Sequence, residues 1–117
     1  KDGMLFAGTH LIVDLWNARW LDDIEHVRAT LLAAAKAARA TVLNVDLHHF
    51  SENGGVSGVV VLAESHISIH TWPETHYAAL DIFTCGDSQP HEAVQVLREA
   101  FRAGHVGLQE IRRGVIG

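Results

Sequence analysis

Much of this chain alternates between apolar and polar residues with a period of two, the spacing that puts successive side chains of a β-strand on opposite faces. One further segment is a nearly continuous run of β-branched residues, which also favours a strand. On this basis we predict six strands, at residues 9–16, 41–50, 57–63, 66–72, 76–85 and 106–112.

Two segments repeat instead with the period of an α-helix. In the first, apolar residues recur every three to four positions from Leu21 to Ala35, and an alanine-rich tail continues to Ala38. The second has Pro90 in its first turn and is ended by Gly104. The chain therefore contains two predicted helices among its six predicted strands.

The predicted order is β-α-β-β-β-β-α-β, with hairpin-length links in its middle. This order predicts an α+β fold, with a largely antiparallel β-sheet and two helices on one face. A length of 117 residues suits a single domain, which we assign to residues 1–117. The helices are expected to cover the aliphatic face of the sheet, formed by Leu11, Val13, Leu43, Val45, Ile67, Ile69, Leu80 and Ile82.

The opposite face of the predicted sheet mixes aromatic and polar side chains. It carries His10, Asp14, Trp16, Asp46, His48, Phe50, His66, Ser68, His70, Trp72, Tyr77, Asp81, Phe83 and Cys85. Such a face is too aromatic for plain solvent surface and too polar for plain core. We expect a functional surface that a second subunit completes, and the alternative is a solvated face with scattered aromatic residues.

Composition excludes several classes of function. The net charge of -5 argues against a partner bound through its phosphates, so we expect no nucleic acid. The single cysteine, Cys85, excludes an internal disulfide and a multi-cysteine zinc site. No apolar run approaches the ~18 residues that span a bilayer, and no signal peptide precedes Gly8. We therefore expect a cytoplasmic protein without a membrane partner.

Nine histidines raise the question of a metal site. His66 and His70 share one face of a predicted strand, but about 13 Å would separate them at ~3.3 Å per residue. No HExxH or CxxC motif is present. We therefore expect no metal ligands.

Three residues that favour nucleophilic chemistry also have ordinary structural interpretations. Cys85 ends a strand before Gly86, where a lone cysteine is more often a small buried hydrophobe than a reactive thiol. Ser57 lacks the strand–turn–helix context of a hydrolase nucleophile. Ser65 follows Glu64 between two strands, as residues of a polar turn do.

Several short motifs, taken together in order, point to a known family. They are GVSG, ESH, IHTWPE, YAALD and FTCG within residues 55–86, with GTHLIVDLW before them and QEIRRG after them. The ordered set resembles the prokaryotic S-adenosylmethionine decarboxylases, small pyruvoyl-dependent enzymes of spermidine biosynthesis. The resemblance implies a homodimer in which two subunits pack sheet to sheet as a four-layer α/β sandwich.

The resemblance also implies a proenzyme that cuts itself at Glu64–Ser65, giving fragments 1–64 and 65–117. Ser65 would become a covalent pyruvoyl cofactor, which forms a Schiff base with the substrate amine and accepts the electrons left by loss of CO2. Family positions for catalysis match Ser57 and His70 in the self-cleavage, and Cys85 as the proton donor to the decarboxylated carbon.

Three further positions are implied in substrate binding. Glu74 matches the acid that holds the ribose hydroxyls, Phe50 matches an aromatic that stacks on adenine, and Trp72 lies near them in the same motif. The turn SENGG at residues 51–55 departs from the shorter, Pro-containing loop of many members. The alternatives are therefore a pyruvoyl-dependent arginine or ornithine decarboxylase, or a non-catalytic homologue.

Overall fold

The computed structural model describes residues 5–86 and 88–116, which form one six-stranded sheet and two α-helices. A 3-10 turn at Pro73–Thr75 joins the fourth and fifth strands. The elements in chain order are β1 (Gly8–Trp16), α1 (Ile24–Ala37), β2 (Val42–His49), β3 (Val56–Leu62), β4 (Ser65–Trp72), β5 (Tyr77–Thr84), α2 (Pro90–Ala100) and β6 (His105–Arg113).

The sheet has the strand order β2-β3-β4-β5-β1-β6, and every neighbouring pair is antiparallel. The predicted α+β fold is confirmed, with strand ends within one or two residues of those expected. Neither described helix is long and apolar enough to cross a membrane.

Both helices pack on the same face of the sheet. The side chain of Asp23 begins α1 by accepting a hydrogen bond from the His26 amide at 3.0 Å, which satisfies one of the free amides of the first turn. The apolar stripes of the helices then close over the aliphatic face of the strands. Leu31 from α1, Leu97 from α2 and Leu11 from β1 are all fully buried in this core.

Leu43 is the exception to the predicted aliphatic face, because its side chain is 64 % exposed. The pairing of β2 with β3 shifts between Val42 and Asn44, so that Leu43 is an extra residue in a β-bulge. The bulge changes the alternation, so Val45 keeps its partly buried place against the core while Leu43 leaves it. The expectation that Leu43 faces the helices was wrong for this reason.

The face of the sheet away from the helices, which we call the open face, carries a row of aromatic rings. Adjacent ring centroids lie 5.1 Å apart for His105 and Trp16, 6.0 Å for Trp16 and Tyr77, 5.3 Å for Tyr77 and Trp72, and 5.2 Å for Trp72 and His70. The row crosses β6, β1, β5 and β4, and both tryptophans remain more than one third exposed. A single chain thus leaves substantial apolar area uncovered on this face.

Two leucine variants test the placement of the bulge. We expect Leu11→Ala to lower the free energy of unfolding by about 2–5 kcal/mol, because it leaves a cavity in the core. We expect Leu43→Ala to change it by less than about 0.5 kcal/mol, because this side chain already contacts solvent. Urea unfolding of both variants measures the difference, and equal losses would contradict the assigned register of β2.

Candidate active site

The turn between β3 and β4 consists of only two residues, Ala63 and Glu64, and it holds Glu64 in the left-handed region at a φ of 60°. A residue with a Cβ adopts this conformation at an energetic cost, and such strain concentrates at functional sites. The peptide bond that follows is Glu64–Ser65. The bond singled out from the sequence therefore lies at a strained position.

Cys85 lies directly against this bond. It follows β5, and its Sγ donates a hydrogen bond to the Glu64 carbonyl oxygen over 2.7 Å. The same sulfur lies 3.8 Å from the Ser65 hydroxyl oxygen. A donor aimed at a carbonyl oxygen stabilises the negative charge that forms there when a nucleophile adds to the carbonyl carbon. We call Glu64, Ser65 and Cys85 the cleavage group.

Ser57 and His70 form a second group as direct cross-strand partners of β3 and β4 on the open face. They line a pocket of about 450 Å³ together with Ser68, Trp72 and Asp81 among others. The Ser57 hydroxyl oxygen is buried, yet it has no hydrogen-bond partner within the described residues. A buried polar atom without a partner destabilises a fold by about 1–3 kcal/mol, so packing alone does not explain a serine at this position.

The two groups do not meet within one chain. Ser65 and His70 are five residues apart on β4, which corresponds to roughly 16 Å at ~3.3 Å per residue. The resemblance assigned both residues to one site, although the strand spacing that separates His66 from His70 in the sequence applies equally to Ser65 and His70.

The residues implied in substrate binding lie at the same end of the sheet as His70. The Trp72 ring stacks on the His70 imidazole at an interplanar angle of 22°. Glu74 follows in the 3-10 turn, and its carboxylate accepts a hydrogen bond of 3.3 Å from the Asn53 amide. Asn53 belongs to the turn that begins after Phe50, and Phe50 is 41 % exposed. The pocket end thus offers rings and a carboxylate to a ligand.

Asp14 and Tyr77 fix the middle of the aromatic row, because the Tyr77 hydroxyl donates to the Asp14 carboxylate. This hydrogen bond, with burial and the charge of Asp14, raises the pKa of Tyr77 to about 12. The sequence placed Asp14 on the mixed face of the sheet without assigning it a role. Asp14 holds a neighbour of Trp72 rather than facing the cleavage group.

A polar cluster that the sequence did not reveal lies between the two groups. The Asp81 carboxylate accepts hydrogen bonds from His66 at 2.8 Å, from His10 at 3.1 Å and from Ser68. Burial opposes ionisation of Asp81, but the hydrogen bonds from Ser68, His66 and His10 outweigh it and lower its pKa. These residues come from three strands, so only the sheet register brings them together.

His10, His66 and Asp81 place three potential metal-ligating atoms within 4.8 Å of one another. Arg113 lies 3.0 Å from the other ring nitrogen of His10, and because arginine only donates, that nitrogen accepts. A neutral His10 must then carry its proton on the nitrogen that faces Asp81, which leaves no lone pair there for a metal. These three residues therefore form a hydrogen-bond network centred on Asp81.

Comparison with known proteins connects this arrangement to a family. The family model described as S-adenosylmethionine decarboxylase matches residues 9–114, nearly the whole chain. The chain belongs to the S-adenosylmethionine decarboxylase family.

Relatives of this S-adenosylmethionine decarboxylase family member come from bacteria and archaea. A protein of Thermodesulfovibrio yellowstonii named S-adenosylmethionine decarboxylase proenzyme is 47% identical over 97% of this chain and 85% of its own length. Proteins with the same name are 52% identical in Parasynechococcus marenigrum, over 92% of this chain and 85% of theirs, and 44% identical in Methanococcus maripaludis, over 93% and 91%.

The fold of the family is also matched directly. The crystal structure of the adenosylmethionine decarboxylase from Aquifex aeolicus superposes with a TM-score of 0.83 at 32% identity, covering 96% of this chain and 94% of that one. The likeness spans both the cleavage group and the pocket end of the sheet.

The single tyrosine of this decarboxylase family member permits a clean test of the Asp14 contact. We expect the phenol to titrate near pH 12 in the folded protein and close to its ordinary value of 10.0 in Asp14→Asn. Because the folded pKa exceeds the unfolded one, the contact stabilises the fold fully below about pH 10, and this contribution is lost as the pH rises toward 12. Ultraviolet absorbance of the phenolate measures the midpoint, and the same midpoint in both proteins would refute the contact.

Proposed function

We propose that this chain is a proenzyme that cuts itself between Glu64 and Ser65 and then decarboxylates S-adenosylmethionine. One observation carries the proposal: the Cys85 thiol donates to the carbonyl oxygen of Glu64, a residue in a strained conformation that is followed directly by Ser65. The family membership and the names of the relatives support the same activity. The expected products of the cut are fragments 1–64 and 65–117.

The cut begins when the Ser65 hydroxyl adds to the Glu64 carbonyl carbon. Negative charge then develops on the carbonyl oxygen, where the Cys85 thiol already donates at 2.7 Å. The carbon–nitrogen bond breaks as the freed amine takes a proton, and an ester joins Glu64 to the Ser65 side chain. The step releases the strain held at Glu64, which favours it over reversal.

Loss of the ester completes the cut. A base removes the α-proton of residue 65, a carbon–carbon double bond forms, and the Glu64 carboxylate leaves with the ester oxygen. The enamine that remains tautomerises, takes up water and releases ammonia, which leaves a pyruvoyl group. We assign the proton transfers of this stage to His70, because an imidazole can both accept and donate a proton, with Ser57 beside it.

The residues present fit a pyruvoyl cofactor, because Ser65 itself supplies the atoms and Cys85 lies next to it. When formed, the group supplies an electron sink for the carbanion left by loss of CO2. Cys85, 3.8 Å from the Ser65 hydroxyl oxygen, is placed to return a proton to that carbon. At the pocket end, Phe50 and Trp72 offer rings to a purine and a sulfonium cation, and Glu74 offers its carboxylate to ribose hydroxyls.

The separation of the two groups leads us to infer a homodimer that packs open face to open face. A two-fold axis in the interface plane and across the strands would place the cleavage group of one chain over the pocket end of its partner. The exposed rings of Phe50, Trp16 and Trp72 supply apolar area for this contact. We expect the interface to bury more than ~1,000 Å² in total. Each site would then use Ser65 and Cys85 of one chain with Ser57 and His70 of the other.

Purified wild-type protein should contain fragments 1–64 and 65–117, the second without a free amino terminus. It should release CO2 from carboxyl-labelled S-adenosylmethionine and not from labelled arginine or ornithine. Intact mass and radiometric assay check both statements. Release of CO2 from arginine or ornithine alone would establish the alternative substrate class. An intact Glu64–Ser65 bond in the purified protein would contradict the proposal.

Three variants give the matched controls for that experiment. Ser65→Ala should stay whole, because it has no hydroxyl to attack Glu64. Cys85→Ala should cut itself about 10²-fold more slowly, because the oxygen loses its donor. Cys85→Ser should recover much of the cleavage rate, since a hydroxyl also donates a hydrogen bond. Equal cleavage rates in Cys85→Ala and wild type would remove the thiol from this step.

Mixing two defective chains tests the shared site. Ser65→Ala and His70→Ala should each remain uncut when expressed alone. When they are expressed together, half of the sites in a mixed dimer combine an intact Ser65 with the partner's intact His70. The His70→Ala chain should therefore be cut in the mixture, as intact mass would show. If only uncut chains appear although mixed dimers form, all these residues act within one chain.

A further inference from the structure

Self-cleavage would create a new chain end in the middle of the sheet. Before the cut, the two-residue turn ties Ser65 covalently to β3, and Ser65 pairs with Leu62. After the cut, Ser65 is the first residue of fragment 65–117, and chain ends that nothing ties down tend to fray. Backbone pairing still links Ser65 to Leu62 and His66 to Phe83. The reacting group must stay within reach of Cys85, however, so side-chain contacts that hold the start of β4 matter more once the turn is cut.

Asp81 supplies contacts of the required kind. Its carboxylate lies on β5, an internal strand, and accepts hydrogen bonds from His66 at 2.8 Å and from Ser68. Both donors are among the first four residues of β4. The two hydrogen bonds use different carboxylate oxygens, so they fix the start of β4 along the strand as well as across it.

The carboxylate is itself held in place from the other side. His10 on β1 donates to it at 3.1 Å, and Arg113 on β6 donates to the second ring nitrogen of His10 at 3.0 Å. The His66 ring also forms a triangle with two other rings: its centroid lies 6.1 Å from that of His10 and 5.9 Å from that of Phe83, and those two lie 5.8 Å apart. A connected set of side chains therefore runs from Arg113 on β6 to His66 and Ser68 near the start of β4.

We propose that Asp81 is a positioning residue that anchors the new chain end at Ser65 after the cut, through His66 and Ser68. The proposal rests on the self-cleavage proposed above. It assigns Asp81 no contact with substrate and no part in breaking the Glu64–Ser65 bond. Its distinctive consequence is that the anchor matters in the cut enzyme and not in the uncut chain, where the turn does the same work.

Amide hydrogen exchange of residues 66–68, resolved by NMR, tests this consequence. Asp81→Asn is prepared as the cut enzyme and, with Ser65→Ala, as the uncut chain. In the cut enzyme we expect these amides to exchange about ten-fold faster than in wild type, because hydrogen bonds to a charged group are lost. In the uncut chain we expect a change of less than about two-fold, since the turn still holds β4.

Asp46→Asn is the matched control. Asp46 is an exposed carboxylate on β2 in the same cross-strand row, reached from Asp81 through Ser68 and Val59. We expect this variant to exchange like wild type in both forms. Ser68→Ala removes one hydrogen bond and keeps the carboxylate, and it should give a smaller acceleration in the cut enzyme alone. If Asp81→Asn does not fold, the exchange rates of Ser68→Ala test the proposal instead.

Activity supplies a further readout. Asp81→Asn should cut itself at close to the wild-type rate, whereas kcat for decarboxylation should fall about ten-fold with a smaller change in KM. Faster exchange in both cut and uncut chains would make Asp81 an ordinary stabilising residue and overturn the proposal. Unchanged exchange in the cut enzyme, or a folded variant that no longer cuts itself, would also overturn it. A wild-type chain that stays whole would overturn the self-cleavage itself, which distinguishes the two failures.

Discussion

The two-residue turn at Ala63 and Glu64 sets the register of β3 against β4, and the rest of the structure depends on that register. A tight hairpin leaves no freedom to slide, and a slip by one residue would exchange the two faces of a strand. With this pairing, Val56 and Val60 of β3 are buried in the core, and Ser57 lies opposite His70. The same turn forces Glu64 into the left-handed region. The same turn therefore fixes the strand register and strains the residue that precedes the Glu64–Ser65 bond.

The reactive side chains fall into two groups at opposite ends of β4. At one end of β4, Cys85 donates to the Glu64 carbonyl oxygen, and Ser65 lies next to both. The hydroxyl and imidazole of the pocket end lie across the length of β4. Within the described residues the buried Ser57 hydroxyl has no hydrogen-bond partner, and aromatic rings on the open face are exposed. Both features support the proposed half-site that a second copy would complete.

The Asp81 network adds a connection between these two parts. In the proposed cut enzyme the turn no longer ties β4 to β3, so side-chain hydrogen bonds add to the backbone pairing that holds the new end. Donors on β4 and β1 converge on one carboxylate, and their hydrogen bonds lower its pKa despite its partial burial. An ionised acceptor strengthens each hydrogen bond to it, which suits an anchor that has to work without covalent help.

The sequence by itself determined the six strands, the two helices and the side of the sheet that they cover, because period-two and helical patterns record which side chains avoid water. Its motifs also selected Glu64, Ser65 and Cys85. Only the tertiary structure decided which strands are neighbours, since pairing depends on contacts distant in sequence. It therefore decided that Leu43 bulges out and that His10 reaches Asp81, because both depend on register rather than on local pattern.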